Sequence, residues 1–411
     1  MYRELRNPSA PRPRGAVIVQ VVIMLTVLLG CLAFAVDVGY IYDLRGSMQT
    51  GVDASSLAGA SGLREGQAAA KNRARDYAAK NYVAKVSIKP NELTMTVGNW
   101  YGLTATFVPA DGAEVVRPNA IRVRGHRPDV PLFFAGVLGD TTTDVAKFAT
   151  AVGGGGQCLG VWGMEGVTAS GDIMTDSYDL RLGDYGPGRI YANGDICTCD
   201  DMTLGGNTEV HGDAMYGTGD DLTLHGSSYQ VWGLIGPNDC NLVPPPFDMA
   251  LAASENDNDL IPLTDDGDDP LTGPDRLFLT GNDNLTLPPG KYYFTSVRIV
   301  SLATLTITGP TEIYVEGDAD FGGGGIINNT GDPTNLKIFC TGNTINFSGT
   351  SDFFGGIVAP DTDINFLGDS TVYGVVIGKT LDFRGNTFIH VEESLVAELH
   401  GLESVSPILV E

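Results

Sequence analysis

Residues 344–383 have the sequence TINFSGTSDFFGGIVAPDTDINFLGDSTVYGVVIGKTLDF. The triplet Ile345-Asn346-Phe347 returns as Ile364-Asn365-Phe366 and again as Leu381-Asp382-Phe383, and a turn containing glycine follows each copy. Short alternating strands at intervals of about 20 residues, separated by Gly, Asn and Asp corners, are typical of a solenoid. We therefore predict a mainly β chain whose distal part is a right-handed parallel β-helix. The three phenylalanines should stack inside it, and the residue before each should face solvent.

A second series of the same kind occurs earlier in the chain. Leu180-Arg181-Leu182, Met202-Thr203-Leu204 and Leu222-Thr223-Leu224 follow one another at similar spacing. Residues 244–274, rich in proline and aspartate, interrupt the pattern between the two series. We predict a solenoid over residues 158–395 with an acidic insertion at 244–274, followed by a C-terminal cap or tail at 396–411.

The other informative stretch is near the N-terminus. Residues 15–36, GAVIVQVVIMLTVLLGCLAFAV, carry no charge and are long enough to cross a bilayer as a helix. Arginines precede this run and aspartates follow it, which favours a cytoplasmic N-terminus. We predict a single-pass inner-membrane protein with its distal domains extracytoplasmic. A cleaved secretory signal is the alternative. The basic positions are Arg3, Arg6, Arg12 and Arg14.

This region resembles the TadE/TadG-like proteins of Flp (tight adherence) pilus assembly. The resemblance rests on Arg14-Gly15, on AVDVGYIY at residues 35–42 and on DASSLAGA at residues 53–60. It implies pilus machinery as a partner, and a processing point between Gly15 and Ala16. Pilin-like members have Glu five residues after that glycine, whereas this chain has Gln20. The difference favours a retained anchor of the TadG kind.

These features divide the N-terminal half into a basic tail (1–14), an anchor region (15–63), a small α+β unit (64–152) and a glycine linker (153–157). Helix-forming residues at 64–82 precede four short alternating runs, which predicts a helix packed on an antiparallel sheet. Within it, His126 lies in a basic stretch from Arg122 to Arg127. This stretch is either an anion or partner contact or a solvated edge strand whose charges block further pairing.

Residues 281–395 resemble a β-solenoid domain found on bacterial pilus-associated and surface proteins. The matching stretches are LPPGKYY at 287–293, GPTEIYVEGD at 309–318 and FFGGIVAP at 353–360. This second resemblance implies architecture and location, not an activity.

Charge is distributed unevenly along the chain. The formal net charge is −25, but residues 1–150 contain 17 basic and 12 acidic residues, which leaves 8 basic and 38 acidic residues beyond. A distal part with about 30 excess negative charges repels nucleic acid and attracts cations. We therefore expect no nucleic-acid partner.

Six cysteines are present, and Cys31 lies in the apolar run. The spacing of Cys197 and Cys199 could form half of a zinc site, but it lacks the usual two-residue gap, so a disulfide or buried thiols is favoured. An odd number outside the membrane leaves one unpaired or paired between chains. The five are Cys158, Cys197, Cys199, Cys240 and Cys340.

The acidic insertion offers oxygen ligands around a glycine turn, which suits Ca²⁺. It does not match the EF-hand loop, and a solvated acidic loop is the simpler interpretation. No other cofactor is expected. The calcium candidates are Asp257, Asp259, Asp265, Asp266, Asp268 and Asp269.

Parallel β-helices also support polysaccharide lyases and hydrolases, which need paired carboxylates in a groove. Asp361 with Asp363, and Asp318 with Asp320, are the candidate pairs. Asp-x-Asp is common at turns, and the chain has no hydrolase, metalloprotease or phosphate-loop motif. We therefore expect a non-enzymatic surface protein for adhesion or for envelope or pilus assembly. A glycan-active enzyme or a module that binds envelope glycan is the alternative.

Overall fold

The computed structural model describes residues 16–110, 118–139, 141–153, 160–238, 240, 243–348, 352–400 and 408–410. The predicted mainly β class is confirmed, with a long N-terminal helix and a solenoid of about nine turns. The helices are α1 (Ala16–Ala60), α2 (Gln67–Ala78), α3 (Met249–Ser254) and α4 (Glu393–His400).

The N-terminal unit contains β1 (Tyr82–Val83), β2 (Val86–Ser87), β3 (Leu93–Tyr101), β4 (Thr106–Pro109), β5 (Ala120–Pro131) and β6 (Thr142–Val152). The first solenoid series contains β7 (Val161–Ala169), β8 (Ile173–Tyr178), β9 (Ile196–Thr198), β10 (Met202–Val210), β11 (Ala214–Gly217), β12 (Leu222–Val231) and β13 (Ile235–Asn238).

The second series begins with β14 (Leu271–Thr272), β15 (Arg276–Leu279), β16 (Asn284–Leu287), β17 (Gly290–Phe294), β18 (Ser296–Ile299), β19 (Thr304–Ile307), β20 (Thr311–Val315) and β21 (Ala319–Phe321). It continues with β22 (Ile326–Asn328), β23 (Leu336–Cys340), β24 (Thr344–Phe347), β25 (Phe353–Ala359), β26 (Asp363–Phe366), β27 (Ser370–Phe383) and β28 (Thr387–Glu392). Near the C-terminus lies β29 (Ile408–Leu409).

Helix α1 has two different halves. Up to Val36 its large apolar side chains are exposed, and the segment Val17–Ala60 is long and apolar enough to cross a membrane. From Leu44 onward one face is buried, and Leu44, Met48 and Val52 belong to the core of the N-terminal unit. Its small residues allow close packing, since a Cβ at Gly59 would lie 2.9 Å from the Ile121 side chain. One continuous helix therefore serves as both apolar segment and core element.

The predicted helix on an antiparallel sheet is confirmed. The five strands lie in the order β29-β6-β5-β3-β4, and α1 and α2 pack together beside them. The edge-strand interpretation of residues 122–127 is wrong, because β5 pairs with β3 on one side and β6 on the other. Arg127 is buried there. Its guanidinium donates to both Glu92 carboxylate oxygens and to backbone carbonyls of residues 83–87.

The solenoid is built from parallel pairings between successive turns, and its interior forms one apolar cluster. The predicted aromatic stack is confirmed: Phe347, Phe366 and Phe383 lie with ring centroids 4.9 and 5.2 Å apart, and Phe321 extends the stack. The assignment of Leu180-Arg181-Leu182 to the repeat is wrong. These residues form a 3-10 turn, in which the Asp179 side chain accepts a hydrogen bond from the backbone of Arg181. The strand that pairs with β10 at this position is β7, in which Thr168 lies opposite Thr203.

The order of the turns in space differs from their order in the sequence. Strand β27 pairs in parallel with β7, and β28 pairs with β8, so the last turn of the second series lies on the first turn of the first series. The first series continues away from this seam through β10 to β12. The second series extends the other way through β25, β23 and β20 to β17. The chain thus starts its solenoid in the middle.

The segment between the two series runs beside the second series. The Phe247 ring lies 5.2 Å from the ring of Phe339 in β23, and the Asp257 carboxylate accepts a hydrogen bond from the backbone of Lys291 in β17. At the far end, the backbone of Asp265 donates to the carbonyl of Asn284 in β16. This segment therefore reaches the outermost strands of the second series.

The amphipathic pattern of Val391 to Leu402 predicts a cover for the last turn of the solenoid. In α4, Leu395 and Val396 join the solenoid core, but the helix packs beside β27 and β28. The edge of β28 pairs with β8, so another strand, and not the helix, satisfies its backbone groups. Leu402 lies outside the described residues.

The stacked phenylalanines give a direct test of the solenoid core. Phe366 is fully buried, so Phe366→Ala should lower the free energy of unfolding by about 3–5 kcal/mol. Urea unfolding of the full chain in detergent measures the change. Phe388→Ala is the matched control, because this phenylalanine is 42% exposed and its removal should cost far less. Equal losses would contradict the assigned burial.

The Arg127–Glu92 pair predicts a pH dependence. Burial alone would raise the pKa of Glu92, but hydrogen bonds and charge from Arg127 lower it below 4.5. The ionised carboxylate therefore stabilises the fold above pH 4.5, and this contribution is lost as the pH falls through the lowered pKa. Arg127→Ala should cost about 3–5 kcal/mol near neutral pH, since it leaves a buried charge unpaired.

Glu92→Gln should destabilise the unit at neutral pH, with a difference from the parent that shrinks in acid. Hydrogen exchange of β5 amides across the pH range measures both effects. The exposed pair Arg73–Glu65 supplies the control: Glu65→Gln should change little at any pH. A pH-independent effect of Glu92→Gln would contradict the prediction.

Candidate functional site

One outward-facing row of side chains runs along the whole solenoid. Its members occupy register-matched positions in adjacent parallel strands, which are about 4.8 Å apart. The predicted outward position of Asn346, Asn365 and Asp382 is confirmed, and the Asn365 amide donates to Asn346 across 3.0 Å. We call this row the outer ladder. In spatial order its residues are Phe278, Arg298, Asp320, Asn346, Asn365, Asp382, Thr168, Thr203 and Thr223.

One end of the outer ladder lies in an open groove of about 550 Å³. Arg276, Phe278, Arg298 and Asp320 line it together with Asn346. Five of the eight basic residues beyond residue 150 form ion pairs. In contrast, no described carboxylate lies within ion-pair distance of Arg276 or Arg298, although Arg276 donates to Ser296 Oγ at 3.2 Å. The groove therefore combines available planar donors with an aromatic side chain.

Two of the four candidate catalytic carboxylates, Asp318 and Asp363, accept hydrogen bonds from neighbouring turns of the solenoid. Asp318 Oδ1 accepts hydrogen bonds from the backbones of Asn343 and Thr344, at 2.9 and 3.1 Å. Asp363 accepts from Thr380 Oγ1 at 2.7 Å, while Asp361 is exposed. Asp318 and Asp320 both line the groove. Among the described residues that line it, neither Asp361 nor Asp363 occurs. The pair Asp361 and Asp363 thus lies outside the groove. In the pair Asp318 and Asp320, Asp318 is already engaged by backbone donors.

A buried polar cluster closes the seam between the two series. His390 Nδ1 lies 2.7 Å from Asp176 Oδ1, and the Tyr185 hydroxyl donates to Asp176 Oδ2 at 2.7 Å. Ser177 Oγ donates to Glu393, not to the histidine. Burial, reinforced by the Asp176 charge, raises the pKa of Tyr185 well above its usual range. These hydrogen bonds satisfy buried polar groups at the seam.

Sequence reasoning missed this cluster because its members are far apart. Asp176 and His390 are 214 residues apart in the chain, and they meet only because β28 lies on β8. The available signal was the presence of two solenoid series separated by a long insertion, but that pattern does not reveal which turn lies on which.

The six calcium candidates do not form one cluster. Asp257 accepts from the backbone of Lys291, and Asp269 accepts from that of Leu271. Asp259, Asp265, Asp266 and Asp268 are exposed. Across the described ranges, three ligand atoms come within 4.8 Å of one another at Asp200, Asp201 and Asp220, outside the insertion. Calcium binding by the insertion stays a prediction.

The cysteines favour disulfides. Cys199 and Cys240 form a disulfide across 41 residues, Cys197 is also disulfide-bonded, and Cys340 is a buried thiol whose pKa is raised by burial. A zinc site that needs the Cys199 thiolate is therefore inconsistent with the structure. Cys158, the processing residue Gly15 and the four N-terminal arginines lie outside the described residues, whereas Ala16 begins α1.

Comparison with family models agrees with the anchor-and-sheet geometry. Residues 15–62 match a model described as Flp pilus-assembly TadE/G-like, and residues 54–151 match a model described as Tad-like Flp pilus-assembly. The N-terminal region is of the Tad/Flp pilus-assembly type. These two matches cover α1, α2 and the strands up to β6.

The solenoid has a separate match. Residues 297–398 match a domain of unknown function, DUF7305, which covers the second series from β18 to α4. Comparisons with curated proteins and with solved structures find no match. The Tad-type region thus gives the functional context, and the solenoid match gives none.

Proposed function

We propose that this chain is a membrane-anchored, non-enzymatic protein of the Flp/Tad pilus-assembly type, which projects an acidic β-solenoid for adhesion or for envelope or pilus assembly. We call the N-terminal unit, from Leu44 in α1 to the end of β6, the Tad-type unit. The observation that carries the proposal is the continuity of α1, whose exposed apolar half passes without a break into the core of this unit. Insertion of the apolar half into a bilayer would therefore fix the unit at the bilayer surface.

Hydrogen bonds between the Tad-type unit and the solenoid support the proposal that the anchor carries both. The Asn119 amide donates to the Trp232 carbonyl at 2.6 Å, and the backbone of Gly102 donates to that of Val231 at 2.9 Å. These bonds join the sheet to the end of β12. The acidic surface beyond residue 150 is suited to cationic partners rather than to nucleic acid.

Orientation follows from charge. The arginines before the apolar run favour a cytoplasmic N-terminus, with the Tad-type unit and the solenoid extracytoplasmic. Gln20, in place of glutamate, favours an anchor that is retained rather than cut after Gly15. The mass of protein from washed membranes measures this point, because cutting would leave Ala16 as the first residue.

An anchor variant tests the proposal. Leu25 and Leu28 are exposed on the apolar half of α1, and arginine at the centre of a membrane helix costs about 3 kcal/mol per residue. Leu25→Arg combined with Leu28→Arg should move the protein out of carbonate-washed membranes and abolish pili in sheared material from the native host.

The matched control is Leu182→Arg, because this leucine is 54% exposed, as Leu25 is, but lies in the 3-10 turn between β8 and β9. It should leave both membrane retention and piliation unchanged. Retention of the double variant would exclude α1 as the anchor. Normal piliation despite its loss from membranes would exclude the assembly role.

The groove at Arg298 favours a second candidate function, a module that binds envelope glycan. Planar donors beside an aromatic side chain are suited to orienting a polar ligand. Arg298→Ala with Asn346→Ala should then abolish retardation of the protein in gels containing the host's surface polysaccharide. Gln230→Ala, an exposed change on another row of the solenoid, should have no effect. Identical mobility of parent and groove variant would exclude this function.

A further inference from the structure

The loop between β5 and β6 is fixed to α1 by one buried carboxylate. Asp37 is 4% exposed, and its two oxygens accept hydrogen bonds from the backbones of Phe133, Phe134 and Ala135, at 2.9, 2.9 and 2.6 Å. The Phe133 ring also lies 5.0 Å from the ring of Tyr40. Three charge-assisted bonds are enough to offset much of the cost of burying an ionised group. The loop therefore has a defined position on the helix.

The loop is apolar and exposed. Residues 132–139 have the sequence LFFAGVLG, which contains no charged or hydrogen-bonding side chain. Phe133 is 66% exposed and Phe134 is 46% exposed. Two adjacent phenylalanines in contact with water are unfavourable, and contiguous apolar surface of this kind marks an interaction site. Among the described residues, α1 holds the loop through Asp37 and Tyr40.

The position of the loop along α1 identifies its surroundings. The exposed apolar run of the helix ends at Val36, one residue before Asp37. Twenty residues, from Val17 to Val36, span about 30 Å as a helix, which is the thickness of the hydrocarbon core. The loop thus lies where the helix leaves the hydrocarbon, and its apolar surface continues that of the helix. Membrane segments that lie in the interface bury Phe and Leu side chains at this depth.

We infer that residues 132–139 insert into the bilayer at the boundary between headgroups and acyl chains, as a second membrane contact beside the anchor. Asp37 is the positioning residue: it holds the loop backbone and, in return, has its own charge satisfied close to the hydrocarbon. The inference rests on the proposed membrane anchoring of α1. Two contacts fix the tilt and rotation of the Tad-type unit on the membrane, which one helix leaves free.

Lipid quenching of a site-specific fluorophore tests the inference. Phe133→Cys and Phe134→Cys are made separately in a full-length Cys31→Ser parent, labelled with the environment-sensitive fluorophore NBD and reconstituted in vesicles of phosphatidylcholine and phosphatidylglycerol. Both labels should emit at shorter wavelength than in water and lose several-fold more emission to a lipid-borne nitroxide than to aqueous iodide.

The matched control is Phe148→Cys. This phenylalanine is 49% exposed on β6 of the same sheet, and its carbonyl accepts from Gln49, which is 12 residues beyond Asp37 and so about 18 Å farther along α1. Its label should respond to iodide and not to the lipid nitroxide. If the labels at 133 and 134 behave like the label at 148, the inference is wrong. Shielding from both quenchers would mean that a protein surface covers the loop, and would also overturn it.

A label at Leu28→Cys separates this inference from the anchoring on which it rests. If Leu28 is quenched by lipid and the loop is not, the anchor is correct and the loop inference fails. If Leu28 is not quenched, both fail. Asp37→Asn should reduce lipid quenching at position 134 but leave it unchanged at Leu28, because the amide offers a weaker, uncharged acceptor to the three backbone donors. Unchanged quenching at 134 would exclude the positioning role of Asp37.

Discussion

Every turn of a parallel solenoid exposes a row of backbone N–H and C=O groups on each side, and the rest of this structure depends on how those rows are covered. An uncovered row leaves polar groups unsatisfied and invites pairing with another chain. Here the two series cover each other at the seam, where β28 lies on β8 and β27 on β7. The outer ends are met by other parts of the chain. Backbone from the Tad-type unit reaches Val231, and the acidic segment reaches Asn284.

The same requirement explains the chemistry of the seam. At the junction, the turns that meet come from different series, so the apolar contacts repeated within each series do not continue across it. The junction instead contains buried charged residues. Asp176, His390 and Tyr185 satisfy one another, while the Glu392 carboxylate accepts from the backbones of Leu180 and Leu395. Removing one member would leave the others buried without a partner, so such clusters fix one register among several that apolar contacts alone would allow.

Local patterns were enough to predict the elements that repeat or that obey a simple length rule. The spacing of Phe347, Phe366 and Phe383 predicted both the stack and the outward row, and the uncharged run before Asp37 predicted the exposed half of α1. Predictions failed where pairing partners decide the structure. Charges in β5 suggested an edge strand, yet β5 pairs on both sides, and Arg127 forms an ion pair with Glu92. The pairing of β29 with β6 and the role of Asp37 depend on partners about 100 or more residues away, for which local sequence carries no signal.

The arrangement of the two series also determines when the structure can form. During synthesis the first series emerges long before β27 and β28, yet it needs them to cover the row of β7 and β8. Contacts that close loops of more than 200 residues form slowly, because chain entropy opposes them until most of the native contacts exist. The early turns must therefore wait with an open edge while the rest of the chain is made. We expect a chaperone to shield that edge in the interval, because its exposure to aggregation ends only when β27 and β28 pair with it.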